Sequence, residues 1–148
     1  MINESESELE LFGTALRPFV SLQPTISYNK LKLLPPLPSS RADIAIPQKF
    51  KRLSDGRDFL LAEDGAEDKI LIFGTKNFFR LLCGSECIYM DGTFKCVPSL
   101  FYQLYTLHVL VKDLMIPVIY ALLPNKRQKT YIRLFRIIQD IANNDFLK

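Results

Sequence analysis

Apolar residues are unevenly spread along the chain: they concentrate after Phe59, while the first forty residues carry much of the proline. From there the pattern resolves into short runs. Asp58–Ala62 and Lys69–Phe73 are strand-like and flank the acidic, Gly-containing stretch Glu63–Asp68, which predicts a hairpin whose loop charges form a solvated surface. Thr75 is placed to cap a short helix that carries Phe78, Phe79, Leu81 and Leu82, with Gly84 as a left-handed terminator. Three longer runs follow. Cys87–Phe94 is apolar on both faces, as a buried central strand is, and Phe101–Val111 and Met115–Leu123 come next. The connectors between them, 95–100 and 112–114, are too short for crossovers, so the three runs predict an antiparallel meander.

Pro124 ends the third run, and Asn125 with Gln128 resembles a capping box. Tyr131, Leu134, Phe135, Ile138, Ile141 and Ala142 repeat at the spacing of a core-facing helix that closes near Asn143–Asn144. The organisation expected is therefore an extended Pro-rich leader over residues 1–46, a hairpin with a short helix over 47–85, and an α/β core over 86–148. The leader holds Pro35 and Pro38 in a P-x-x-P arrangement, which reads as a linker or as an SH3 ligand.

Charge changes this picture only slightly. The formal net charge is +3, and Glu4, Glu6, Glu8 and Glu10 make the N-terminus acidic, so the remainder is more basic than the total implies. An acidic start is unlike a secretory signal, and no stretch approaches the roughly 18 apolar residues of a membrane helix. A nuclear or cytoplasmic protein, neither secreted nor membrane-bound, is expected. Cys83, Cys87 and Cys96 are odd in number and read as reduced, partly buried thiols. With His108 they would make a C-x3-C-x8-C-x11-H set, which departs from the usual zinc spacings.

Asp91 is the residue out of place. A carboxylate in an apolar run must be paired, hydrogen-bonded or bound to metal if it is buried. Asp91-Gly92 is also a common turn dipeptide, although Thr93-Phe94 continues the strand character beyond it. Lys126, Arg127, Lys129, Arg133 and Arg136 form a basic set around the last helix, either a contact for DNA or a solvated face.

Three segments in order, Tyr89-Met90-Asp91-Gly92-Thr93-Phe94-Lys95, Phe101–His108 and Pro117–Lys126, resemble the start of the Mutator-like element (MULE) transposase domain. Weaker similarity reaches upstream through Phe59–Leu61 and Ile70–Thr75, so the resemblance covers roughly residues 45–148. It implies an RNase H-like fold in which three antiparallel strands lead into a helix and further strands follow. It also implies an acidic triad that binds two Mg²⁺ or Mn²⁺ ions for DNA strand cleavage and joining. Asp91 matches the first acid, as catalytic residue and metal ligand. In the family the second acid follows a fourth strand and the third lies on a later helix, both past the position that matches Lys148, so the chain alone is expected to be inactive. In that fold the first strand is central. Without the fourth strand its edge would lie open and invite self-association. The alternative is a regulatory or DNA-binding module that keeps the opening of the fold without its chemistry.

Overall fold

The structure is a computed structural model that describes residues 37–145. Its main elements run in the order β1 (Leu60–Asp64), β2 (Ile70–Phe73), α1 (Lys76–Cys83), β3 (Ile88–Thr93), β4 (Gln103–Val111), β5 (Leu114–Leu123) and α2 (Gln128–Asp145), after a 3-10 turn at Gln48–Phe50. The fold is mixed α/β: one five-stranded sheet in the order β1-β2-β5-β4-β3, every neighbouring pair antiparallel, with two α-helices. β3-β4-β5 is the meander predicted from the connectors, and β1-β2 is the hairpin, joined to it through β2 and β5. The expectation of a Pro-rich leader falls mostly on residues 1–36, which lie outside the described residues.

Turn chemistry sets the register. Only Lys112 and Asp113 separate β4 from β5, and both are left-handed, with φ of 48° and 65°. A two-residue turn of that hand matches the twist of antiparallel strands. Pro117 lies inside β5, a central strand, although proline has no N–H for the ladder. It pairs with His108, next to the register shift between Leu107 and His108, so the sheet meets the missing donor with an irregularity.

The helix-facing side of the sheet is the core. Ile70, Ile72, Leu107, Val109, Ile119 and Ala121 are buried there with Phe79 and Leu82 of α1 and Leu134 of α2. The apolar stripe predicted for α2 packs on this cluster, with Ile137 in addition. α2 runs to Asp145, so Asn143 and Asn144 lie inside it rather than ending it. Ahead of its start Asn125 Oδ1 accepts hydrogen bonds from Arg127 N (3.0 Å) and from the Thr130 hydroxyl (2.7 Å), a side-chain turn in place of the expected capping box. Thr75 caps α1 as expected, accepting from Phe78 N. Gly84, however, ends that helix in a right-handed conformation (φ −89°), not a left-handed one.

Two further expectations are overturned. The Glu63–Asp68 loop is not merely a solvated surface. Lys69, 6 % exposed, reaches Glu63 Oε1 at 2.7 Å and Ile44 O at 3.1 Å, which satisfies a buried ammonium. Asp64 and Asp68 both engage Arg133. β3, in turn, is the last strand of the described sheet, with Ile88 through Asp91 exposed, which departs from the buried central strand that its apolar pattern suggests and has the open edge expected of the meander without a further strand. A strand apolar on both faces reads as central from sequence, but among the described residues only β4 flanks it.

Candidate functional site

Asp91 sits in β3 opposite Thr106. Strand alternation sends Met90 and Gly92 to the side of Tyr105, whose hydroxyl donates to Met90 Sδ at 3.3 Å and whose ring meets Tyr131 of α2 edge-on at 5.4 Å. Asp91 therefore faces the other way, away from α2, with Tyr89, Thr93, Thr106 and His108 on its own side by register. Its carboxylate is exposed, so it does not carry the burial cost that an apolar run led one to expect. The Thr93 hydroxyl lies 3.5 Å from Asp91 Oδ2, and Thr106 Oγ1 donates to the Asp91 carbonyl at 3.4 Å. Burial first, then Tyr131 and Asp91, push the Tyr105 phenol above its ordinary value.

Among the described residues, no group of three or more His, Cys, Asp or Glu side chains is placed to hold a metal ion. Mg²⁺ demands a near-octahedral shell of oxygens and is usually held by one or two carboxylates with waters or phosphates. One exposed carboxylate with hydroxyl neighbours does not make up that site. Cys83, Cys87 and Cys96 are all exposed free thiols rather than partly buried ones; the burial that Cys83 retains raises its thiol pKa.

The five basic residues do not share one environment. Arg133 is held down: its guanidinium donates through Nη1 to Asp68 Oδ2 and through Nη2 to the Asp68 carbonyl. Its Nε lies 2.7 Å from Asp64 Oδ2 as an ion pair, off the axis of a true hydrogen bond. The Arg133 hydrogen bond, above all, holds the Asp68 carboxyl below its ordinary range. Gly65 makes room for this clamp. It is left-handed (φ +80°), and a Cβ there would stand 3.0 Å from Arg133 Nη2 and 2.8 Å from Asp68 Oδ1. Lys126, Arg127, Lys129 and Arg136 are exposed, and the Lys126 ammonium sits 5.9 Å from the Tyr102 ring centroid.

Two features of this region are invisible in the sequence pattern. Phe94 and Tyr102 look like core residues but are exposed, and they touch at 5.6 Å between ring centroids. Lys69 looks like an ordinary strand residue, yet it anchors residue 44 to the β1–β2 hairpin. No family model, curated protein or solved structure matches the chain. No helix among the described residues is long and apolar enough to cross a membrane.

Proposed function

We propose that residues 86–148 are the opening part of an RNase H-like core related to the Mutator-like transposases, and that the chain binds DNA without cutting it. The observation that carries this reading is the order of elements. Three antiparallel strands, β3-β4-β5, run directly into a helix packed back on them, and an acidic residue sits in the first strand with one edge of that strand unpaired. Such an edge is where the resemblance would place a further strand. Exposed Lys126, Arg127, Lys129 and Arg136 supply the phosphate-facing charge. The parent activity, cleavage and joining of DNA with Mg²⁺ or Mn²⁺, needs more acids than Asp91, and no cluster of three metal-ligating side chains is gathered among the described residues, so we propose that these residues alone do not cut DNA.

The test is a pair of assays. Duplex DNA should be bound at low salt, with an affinity that falls linearly in log–log form as salt rises. Supercoiled plasmid with Mg²⁺ or Mn²⁺ should stay intact. Absence of binding at low salt would sink the proposal. Nicking that disappears in Asp91→Asn would overturn its non-catalytic part.

A further inference from the structure

We infer that the end of the sheet where β3 closes and β4 opens is a stacking platform for single-stranded nucleic acid: bases lie against Phe94 and Tyr102, and Lys95, Lys126 and Arg127 hold the phosphates. The inference rests on the nucleic-acid half of the reading above and is independent of the metal.

Two large rings stand in the open there, Phe94 at 52 % and Tyr102 at 44 % exposure, in edge-to-face contact. They are fixed, not loose. Tyr102 N donates to Leu123 O at 2.9 Å. Its neighbours Phe101 and Gln103 are buried, and the Gln103 amide donates to Tyr131 Oη at 2.7 Å. Phe94 Cζ lies 3.9 Å from where a Cβ on Gly92 would stand, so the ring lies back along the strand. Rings whose backbone is already ordered spend little entropy on binding. Lys126 sits over Tyr102, and the backbone N–H of Arg127 donates to Asn125 Oδ1 just ahead of α2.

Charge selects the ligand. Asp113 belongs to the β4–β5 turn at the other end of those strands, while the acidic β1–β2 turn lies at this end, where Lys69 engages Glu63, Arg133 engages Asp64 and Asp68, and Arg41 donates to the Glu67 and Leu100 carbonyls, so that Lys95, Lys126 and Arg127 stand exposed beside largely paired carboxylates. Asp91, three residues before Phe94, faces the opposite side of the sheet. An anion is therefore favoured, and the flat exposed rings favour one that carries aromatic faces of its own. In duplex DNA those faces are already stacked on one another; in a single strand they are free.

The decisive experiment uses the whole chain and a short fluorescein-labelled oligothymidylate at low salt. The double variant Phe94→Ala/Tyr102→Ala should weaken binding by roughly 10- to 100-fold with an unchanged salt slope, while Lys126→Gln/Arg127→Gln should flatten the slope by about 0.7 for each phosphate that is no longer neutralised. The protein has no tryptophan, so Phe94→Trp supplies a single reporter. Its emission should be quenched as a base stacks on the indole. Binding that ignores both aromatic truncations, or an indole that does not respond at saturation, would overturn the platform. So would equal quenching by polyglutamate, which would assign the patch to acidic peptides. Duplex binding that persists without any oligothymidylate binding would overturn this inference and leave the proposed function standing; loss of both would overturn both.

Discussion

Replacing Arg133 by Gln separates the clamped member of the basic set from its exposed members. The substitution keeps much of the side-chain length but removes the charge that joins α2 to the β1–β2 loop. In the native fold Arg133 meets two carboxylates and one carbonyl, with side-chain exposures of 30 % for Arg133, 44 % for Asp64 and 60 % for Asp68. Ion pairs this open are individually worth about 0.2–1 kcal/mol, well below a buried charged hydrogen bond. Both carboxylates and the carbonyl converge on one guanidinium whose Nε is itself buried, which brings the expected loss to about 1–2 kcal/mol. For a unit of roughly a hundred residues that lowers Tm by about 4–8 °C.

Thermal denaturation followed by circular dichroism reads the first effect, and DNA titration across a salt series, well below Tm, reads the second. Arg133→Gln should lower Tm and leave the salt slope for duplex DNA untouched. Lys129→Gln/Arg136→Gln should do the reverse, with a slope shallower by about 0.9 for each phosphate left without its cation. A double-mutant cycle between Arg133→Gln and Asp68→Asn should show coupling of about 1 kcal/mol. If Arg133→Gln leaves Tm unchanged and flattens the slope, the guanidinium works on phosphate, and the clamp reasoning fails.

Three further outcomes rest on the same physics. Glu63→Gln should cost about 2 kcal/mol in urea denaturation, because it strips the charge partner from a lysine only 6 % exposed, whereas Glu63→Gln/Lys69→Met should recover most of that loss; additive single costs would contradict a coupled pair. Acid should weaken the Arg133 clamp with a definite sign. Asp68 is lowered in the fold from 3.8, so its contribution is present above that value and is lost as pH falls through the lower folded one; a contribution that instead grows on acidification, measured as the Arg133→Gln difference in Tm, would be the wrong sign. Finally, Ile88–Thr93 has no Lys or Pro to guard its open edge, so wild type should self-associate with rising concentration in sedimentation velocity and Met90→Lys should not; a concentration-independent wild-type monomer would reject edge pairing.

Local periodicity made β4, β5 and α2 legible, because each element's burial follows from its own residues: the α2 stripe from Tyr131 to Ala142 packs where its spacing says it should. What sequence could not show depends on distant neighbours. Ile88-Tyr89-Met90 is apolar on both faces whether a strand lies on each side or on one, and only sheet order distinguishes the two. Arg133 meets Asp68, 65 residues earlier, so a reading of the helix alone places it among solvent-facing cations. Phe94 and Tyr102 are lost to the same blindness: aromatic residues beside strands read as core. The Pro117 irregularity was hidden for a different reason, since proline argues against a central strand while Ile116, Val118 and Ile119 argue for one, and the sheet accepts both by shifting register at His108.

Under the proposed RNase H-like relationship, the open edge that β3 shows among the described residues and the lack of a co-ligand for Asp91 there would have one physical cause. On its inner side Asp91 meets β4, where Thr106 and His108 bring no anionic oxygen. The α2 side is closed to it, because alternation turns its carboxylate away from Tyr105 and Tyr131. Among the described residues, the outer edge of β3 is the side on which no strand lies beside Asp91. A strand laid along that edge would bring a side chain to about 4.5–5.5 Å between Cβ atoms from Asp91, close enough for two carboxylates to share a cation. It would also satisfy the unpaired backbone groups of β3. Sheet completion and metal affinity should therefore rise together. Mg²⁺ should leave the Tm of the chain Met1–Lys148 unchanged and raise it only once an added acid-bearing strand covers the edge. A Tm that rises with Mg²⁺ in the chain alone, and fails to rise in Asp91→Asn, would show that Asp91 already has its co-ligands.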